Sequence, residues 1–148
     1  MDYCIDDKNL CNELETRGIG YRDGDKYYVS MLEAAYLTEI GKLDCADALK
    51  TVNGTERLKK RYIIFKDLRK KMHTANYVER DDLFLVCEKG MVPKSVESKY
   101  VVVPVEKDIT LERMIELQKI ALNVRKVFIC ALVVNNSVEY YKFQWVEL

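Results

Sequence analysis

Acid–base, metal and phosphate chemistry each need particular side chains, and this chain offers few of them. Its one histidine is His73. A lone histidine just after a helical pattern reads as a turn or surface residue. Asp81, Asp82, Glu88 and Glu97 form a loose acidic group. Acids can hold a divalent cation, but these lack a Glu-x-Lys-type signature and read as turn and surface residues. With a reference pKa of about 4.3, Glu97 is expected to be ionised near neutral pH and a poor proton donor. The five cysteines, Cys4, Cys11, Cys45, Cys87 and Cys130, contain no CxxC pair. Their spacing argues against zinc and their odd number against a disulfide framework. They read as reduced, small apolar residues. Gly18-Ile19-Gly20 lacks the GxxxxGK or GxGxxG context that a phosphate loop requires. No metal and no cofactor is expected.

The elements that would position these residues follow from charge and periodicity. A chain of 148 residues, 49% hydrophobic and 32% charged, suits one ordinary domain or two small ones. Net charge is zero but uneven. Residues 1–56 hold six basic and twelve acidic side chains, while residues 57–80 hold nine basic and two acidic. Nucleic-acid binders carry basic patches, and 57–80 is the one candidate; a solvated helix face is the competing reading. No apolar run approaches the roughly 20 residues of a membrane helix. The acidic start of the chain lacks a signal-type apolar region, so a cytoplasmic location is expected.

The stretch Leu83–Val105 reads as two short strands, largely buried on both faces, around a polar hinge containing Gly90 and Pro93. Residues 1–30 read as short strands and turns, with Tyr27–Val29 extended. Ser30 and Glu33 form a capping box that opens a helix stopping at Gly41, with Leu32, Ala35, Tyr36 and Ile40 on one face. A second helix is expected between Asp44 and Asn53-Gly54. A basic helix over 56–72 carries Leu58, Tyr62, Phe65 and Arg69 on one side and Lys59, Lys66 and Lys70 on another. A further helix over 110–123 has Thr110 as N-cap and Leu111, Met114, Ile115, Gln118 and Leu122 along one face. Lys126–Val134 and Val138–Val146 read as the last strands, joined by a tight Asn135-Asn136-Ser137 loop.

Several of these stretches carry a family pattern. Leu85-Val86-Cys87, Glu97-Ser98-Lys99-Tyr100-Val101-Val102 and Val124-Arg125-Lys126 match, in order, Leu-Val-Tyr, His-Ser-x-Tyr-Leu-Val and Val-Arg-Lys. The run Ser30–Leu43 matches Leu-Ser-x-x-Glu-Ala-x-Tyr-Leu-x-x-x-Gly-x-Leu, and Tyr62–Arg69 matches Tyr-x-x-Tyr-x-Asp-Leu-Arg. From about residue 17 onward the chain thus resembles the archaeal tRNA-splicing endonuclease family. The resemblance implies an α+β fold: a small N-terminal domain over 1–55, then a nuclease-like domain over 56–148. That second domain would hold a mixed, mostly antiparallel sheet flanked by helices.

What the resemblance implies about chemistry is mainly a loss. Family enzymes cleave RNA without metal, leaving a 2′,3′-cyclic phosphate and a 5′-hydroxyl. Tyrosine, histidine and lysine supply the base, the acid and the cation. Here those positions hold Cys87, Glu97 and Lys126. Replacing an acid or base typically costs about 10²–10⁴-fold. The expectation is a structural, non-catalytic subunit of a heteromeric tRNA-splicing endonuclease. Its partners would be a catalytic subunit, two copies of each, and pre-tRNA. The alternatives are an active endonuclease with a displaced site, and a divergent RNA-binding or assembly module. Lys119, Arg125 and Lys126 are the candidate RNA contacts. Asn135, Asn136, Glu139, Tyr140, Phe143 and Trp145 are the candidate interface residues. The family's longer acidic loop, which inserts into a neighbouring subunit, is shortened here to Asn135–Ser137.

Overall fold

The computed structural model describes residues 2–92 and 97–148. Residues 93–96, with the expected hinge residue Pro93, lie outside the described residues. The fold is mixed α+β, and the chain divides into two compact units, Met1–Tyr62 and Ile63–Leu148, the division falling inside a helix.

The first unit runs β1 (Tyr3–Ile5), α1 (Lys8–Arg17), β2 (Tyr21–Asp23), β3 (Lys26–Val29), α2 (Met31–Glu39) and α3 (Ala46–Val52). Its three strands are antiparallel in the order β1-β3-β2. The helix α1 corrects the expectation of only strands and turns before Ser30. The Asp7 carboxylate accepts from the Asn9 and Leu10 N–H groups, and Gly18 ends the helix at φ 71°. Only Cys11 and Leu14 of α1 are buried, so its apolar face is too narrow to show as a periodic signal. The capping box forms as expected. Ser30 Oγ accepts from Glu33 N–H, and Glu33 Oε1 accepts from Ser30 N–H at 2.9 Å. The other Glu33 oxygen accepts from Gly20 N–H at 2.8 Å. Gly20 sits at φ 78°, where an added Cβ would lie 2.5 Å from the Tyr28 carbonyl oxygen; only glycine fits there. The buried residues of α2 are Leu32, Ala34, Ala35 and Leu37, while Ile40 is exposed.

The helix α4 (Glu56–Lys70) leads into the second unit, which holds β4 (Ala75–Val78), β5 (Leu83–Val86), β6 (Tyr100–Val105), α5 (Leu111–Asn123), β7 (Val127–Val134) and β8 (Ser137–Lys142). The sheet order is β4-β5-β6-β7-β8. Only β6 and β7 run parallel, because α5 forms the crossover that a parallel pair requires. Strand alternation sends Leu83, Val101, Val103, Phe128 and Cys130 to one face, where they meet Leu117 and Ala121 of α5. Val86, Val102 and Ile129 point to the other.

Two expectations are corrected in this unit. The buried side of α5 is Leu117, Gln118 and Ala121, with Met114 partly covered; Leu111, Ile115 and Leu122 are exposed. The last strand ends at Lys142 rather than Val146. Its partner β7 begins at Val127, so after Phe143 N–H bonds the Phe128 carbonyl no ladder remains to pair with. The loop between them is a two-residue turn, Asn135 at φ 51° and Asn136 at φ 65°, with Ser137 already paired to Val134. Two left-handed residues suit the right-handed twist of a hairpin, and asparagine tolerates that region.

Four helices, α1, α2, α4 and α5, end in the same way. At Gly18, Gly41, Met72 and Arg125 a residue with positive φ bonds back three residues, and the next residue bonds back five, as in His73 N–H to Leu68 O at 2.9 Å and Lys126 N–H to Ala121 O at 3.0 Å. This is the Schellman stop. In two of the four cases it is closed by a non-glycine residue.

Candidate functional site

Cys87 and Lys126 lie near one another where β5 ends and β6 and β7 begin, and Glu97 precedes β6 by three residues. Cys87 follows β5, and its N–H bonds the Thr74 carbonyl at 3.0 Å. Its side chain is buried. Burial pushes the thiol pKa up, and the nearby Lys126 ammonium only partly opposes this. Glu97 is exposed. Lys126 follows the α5 stop, and its Nζ donates to the Ser98 carbonyl at 2.6 Å. With Lys99 N–H on Val86 O and Val127 N–H on Lys99 O, this bond ties the starts of β6 and β7 to the end of β5. Lys126 thus holds the corner together through its own side chain.

A buried thiol with a raised pKa is a poor base near neutral pH. The acidic set disperses: Tyr77 Oη donates to Asp82 at 2.6 Å, and Glu88 pairs with Lys99 at 2.5 Å. Among the described residues, no three His, Cys, Asp or Glu side chains come together as metal ligands.

Of the candidate RNA contacts, Lys126 is the half-buried corner lysine just described. Lys119 is exposed on α5, and Arg125 is exposed at φ 57°, so Arg125 is the helix stop as well as a cation. Of the candidate interface residues, Asn135 and Asn136 are exposed at the turn and Glu139 is exposed on β8. Tyr140 and Phe143 make contacts within the unit. Tyr140 Oη donates to Asp67 at 2.7 Å, with Lys71 Nζ 4.8 Å from its ring centroid. Phe143 packs edge-on to Phe128 at 6.0 Å. Trp145 is exposed beyond the strand. Strand β8 is a sheet edge.

Sequence reasoning missed a cleft on the sheet face opposite α5. It has a volume of about 220 Å³ and is lined by Leu68 of α4, by Val86, Val102 and Ile129 of the sheet, and by Lys71, His73, Tyr100 and Tyr140. His73, read as a surface residue, is half-buried, with Nδ1 2.7 Å from the Cys87 carbonyl oxygen. Its ring meets Tyr100 edge-on at 6.1 Å. The only sequence hint was its place beside Lys71 at a helix end that no glycine marks.

Comparison with known proteins finds relatives that match most of the chain. The tRNA-splicing endonuclease of Thermococcus kodakarensis is 30% identical over 154 aligned positions, covering 95% of this chain and 91% of that protein. The tRNA-splicing endonucleases of Pyrococcus horikoshii, at 26% over 98% of this chain and 91% of that protein, and of Nanoarchaeum equitans, at 28% over 86% and 97%, are similar too. No family model matches the chain. Mixed α+β folds with a five-stranded sheet form a broad class, and likeness along most of the chain narrows it. The chain belongs to the tRNA-splicing endonuclease family.

Proposed function

We propose that this chain is a structural, non-catalytic subunit of a heteromeric tRNA-splicing endonuclease. It acts in intron removal from pre-tRNA by supporting a catalytic subunit and extending the RNA-binding surface. The relatives' name supports the process. One observation carries the non-catalytic role: Cys87 is buried with its thiol pKa raised, where the family's tyrosine would stand. A partner with an intact tyrosine, histidine and lysine would supply the chemistry. The open β8 edge offers the partner a row of unpaired backbone groups. Two chains of each kind would complete the assembly, working in the cytoplasm. Lys119 and Arg125 would add phosphate contacts.

The test is cleavage of an intron-containing pre-tRNA without added metal. The chain alone should be silent, and mixing with a catalytic subunit should restore cutting in a particle of two-plus-two mass by light scattering. Cutting by the chain alone, abolished by Lys126→Ala, would overturn the reading.

A further inference from the structure

The cleft under His73 is not used by the reading above. None of Cys87, Glu97 or Lys126 lines it. The geometry points to this cleft as a receptor for a single unpaired nucleobase of an RNA strand, an inference that rests on the RNA role just proposed. Three features choose that occupant. The cleft's roughly 220 Å³ lies below the roughly 300–1,000 Å³ of sites for drug-sized ligands, so one small planar group fills it. Its lining combines the aliphatic Leu68, Val86, Val102 and Ile129 with the aromatic residues Tyr100, Tyr140 and His73, the residue types among which an unstacked base finds new stacking partners.

The third feature is hydrogen bonding and charge at the rim. The Cys87 carbonyl can only accept, so His73 Nδ1 carries the proton in their 2.7 Å contact. In the neutral ring Nε2 is then an acceptor, suited to a base N–H. Lys71 stands over Tyr140, and Lys99 lies 5.5 Å from the Tyr100 ring centroid. These two cations pair with Asp67 at 2.7 Å and Glu88 at 2.5 Å. Exposed pairs of this kind are worth about 0–1 kcal/mol. Swinging a lysine from its carboxylate to a backbone phosphate therefore costs little.

The experiment is an NMR titration of the full chain with uridine, UMP, AMP and inorganic phosphate, following the Ile129 methyls and the His73 ring. Saturable shifts are expected with nucleoside and nucleotide, the nucleotide binding more tightly. Tyr100→Ala should weaken nucleoside binding about tenfold, Lys71→Gln should remove the advantage of nucleotide over nucleoside, and Ile129→Trp should fill the cleft and abolish binding. Where Ile129→Trp fails to fold, the two rim variants decide. Overturning results are no saturation at millimolar uridine or UMP, shifts from inorganic phosphate with uridine silent, or rim variants that bind as the parent does. The titration uses no catalytic subunit, so its failure is separate from failure of the pre-tRNA assay.

Discussion

Cys87 shows how one residue's surroundings decide what it can do. A thiol could serve as a base if something drew out its proton, and Lys126 is near enough to help. Burial outweighs that help and keeps the thiol protonated. Iodoacetamide at pH 8 is therefore expected to label exposed Cys4 well before Cys87, read by peptide mass spectrometry. Cys87→Ala is expected to leave the pH–rate profile of the reconstituted complex unchanged; a lost limb would put the thiol in the mechanism. Tyr140 makes a second residue-scale case. Burial, and then its bond to Asp67, raises its pKa, so its contribution to stability is full below the unfolded value of about 10 and is lost as pH rises above it. Tyr140→Phe should cost about 1–2 kcal/mol at pH 7. The gap between parent and variant should narrow between pH 9 and 11, seen in urea midpoints. Tyr27, raised to about 12 mainly by burial, adds an alkaline loss that both proteins share.

Among elements, α5 separates apolar residues that are used from those that are not. Leu117 is buried against the sheet, whereas Leu111 is 67% exposed. Leu117→Ala should cost about 3 kcal/mol and Leu111→Ala no more than about 0.5 kcal/mol, measured by denaturant unfolding. The stop after α5 allows a clean test of RNA contact. Arg125 holds the left-handed position that glycine prefers. Arg125→Gly should keep or raise stability while removing one cation, so any fall in pre-tRNA affinity and in its salt slope reports phosphate contact. The β7–β8 turn predicts the opposite behaviour, because Asn135→Val forces a β-branched residue into the left-handed region. That change should cost about 1–2 kcal/mol.

For the whole molecule, the proposed structural role draws on two features: the edge strand β8 and the corner at Cys87 and Lys126. Lys126 keeps its identity in the family pattern, yet its ammonium serves the Ser98 carbonyl. Under the proposed structural role, that bond is what the lysine contributes. Lys126→Met should lower stability by about 1–3 kcal/mol whether or not a partner is present. In a mixed complex, cutting per assembled particle should be unaffected.

The sequence by itself determined the elements whose signals are local. The capping box at Ser30 and Glu33, the glycine stop at Gly41, the Thr110 cap and the Asn135-Asn136 turn all act within a few residues, so their chemistry could be read directly. The family and the α+β class were legible for a related reason, since spaced motifs survive where each holds a turn, a cap or a strand start. Tertiary structure alone decided the rest. Helix α1 buries only two residues, so its stripe is too thin to read. Which side of α5 is covered depends on where the sheet lies, not on periodicity. Met72 and Arg125 end helices without glycine because the following strand is held in place by long-range bonds. His73 lies 14 residues from the carbonyl that orients it, and that distance in sequence is why the cleft it borders left no local trace.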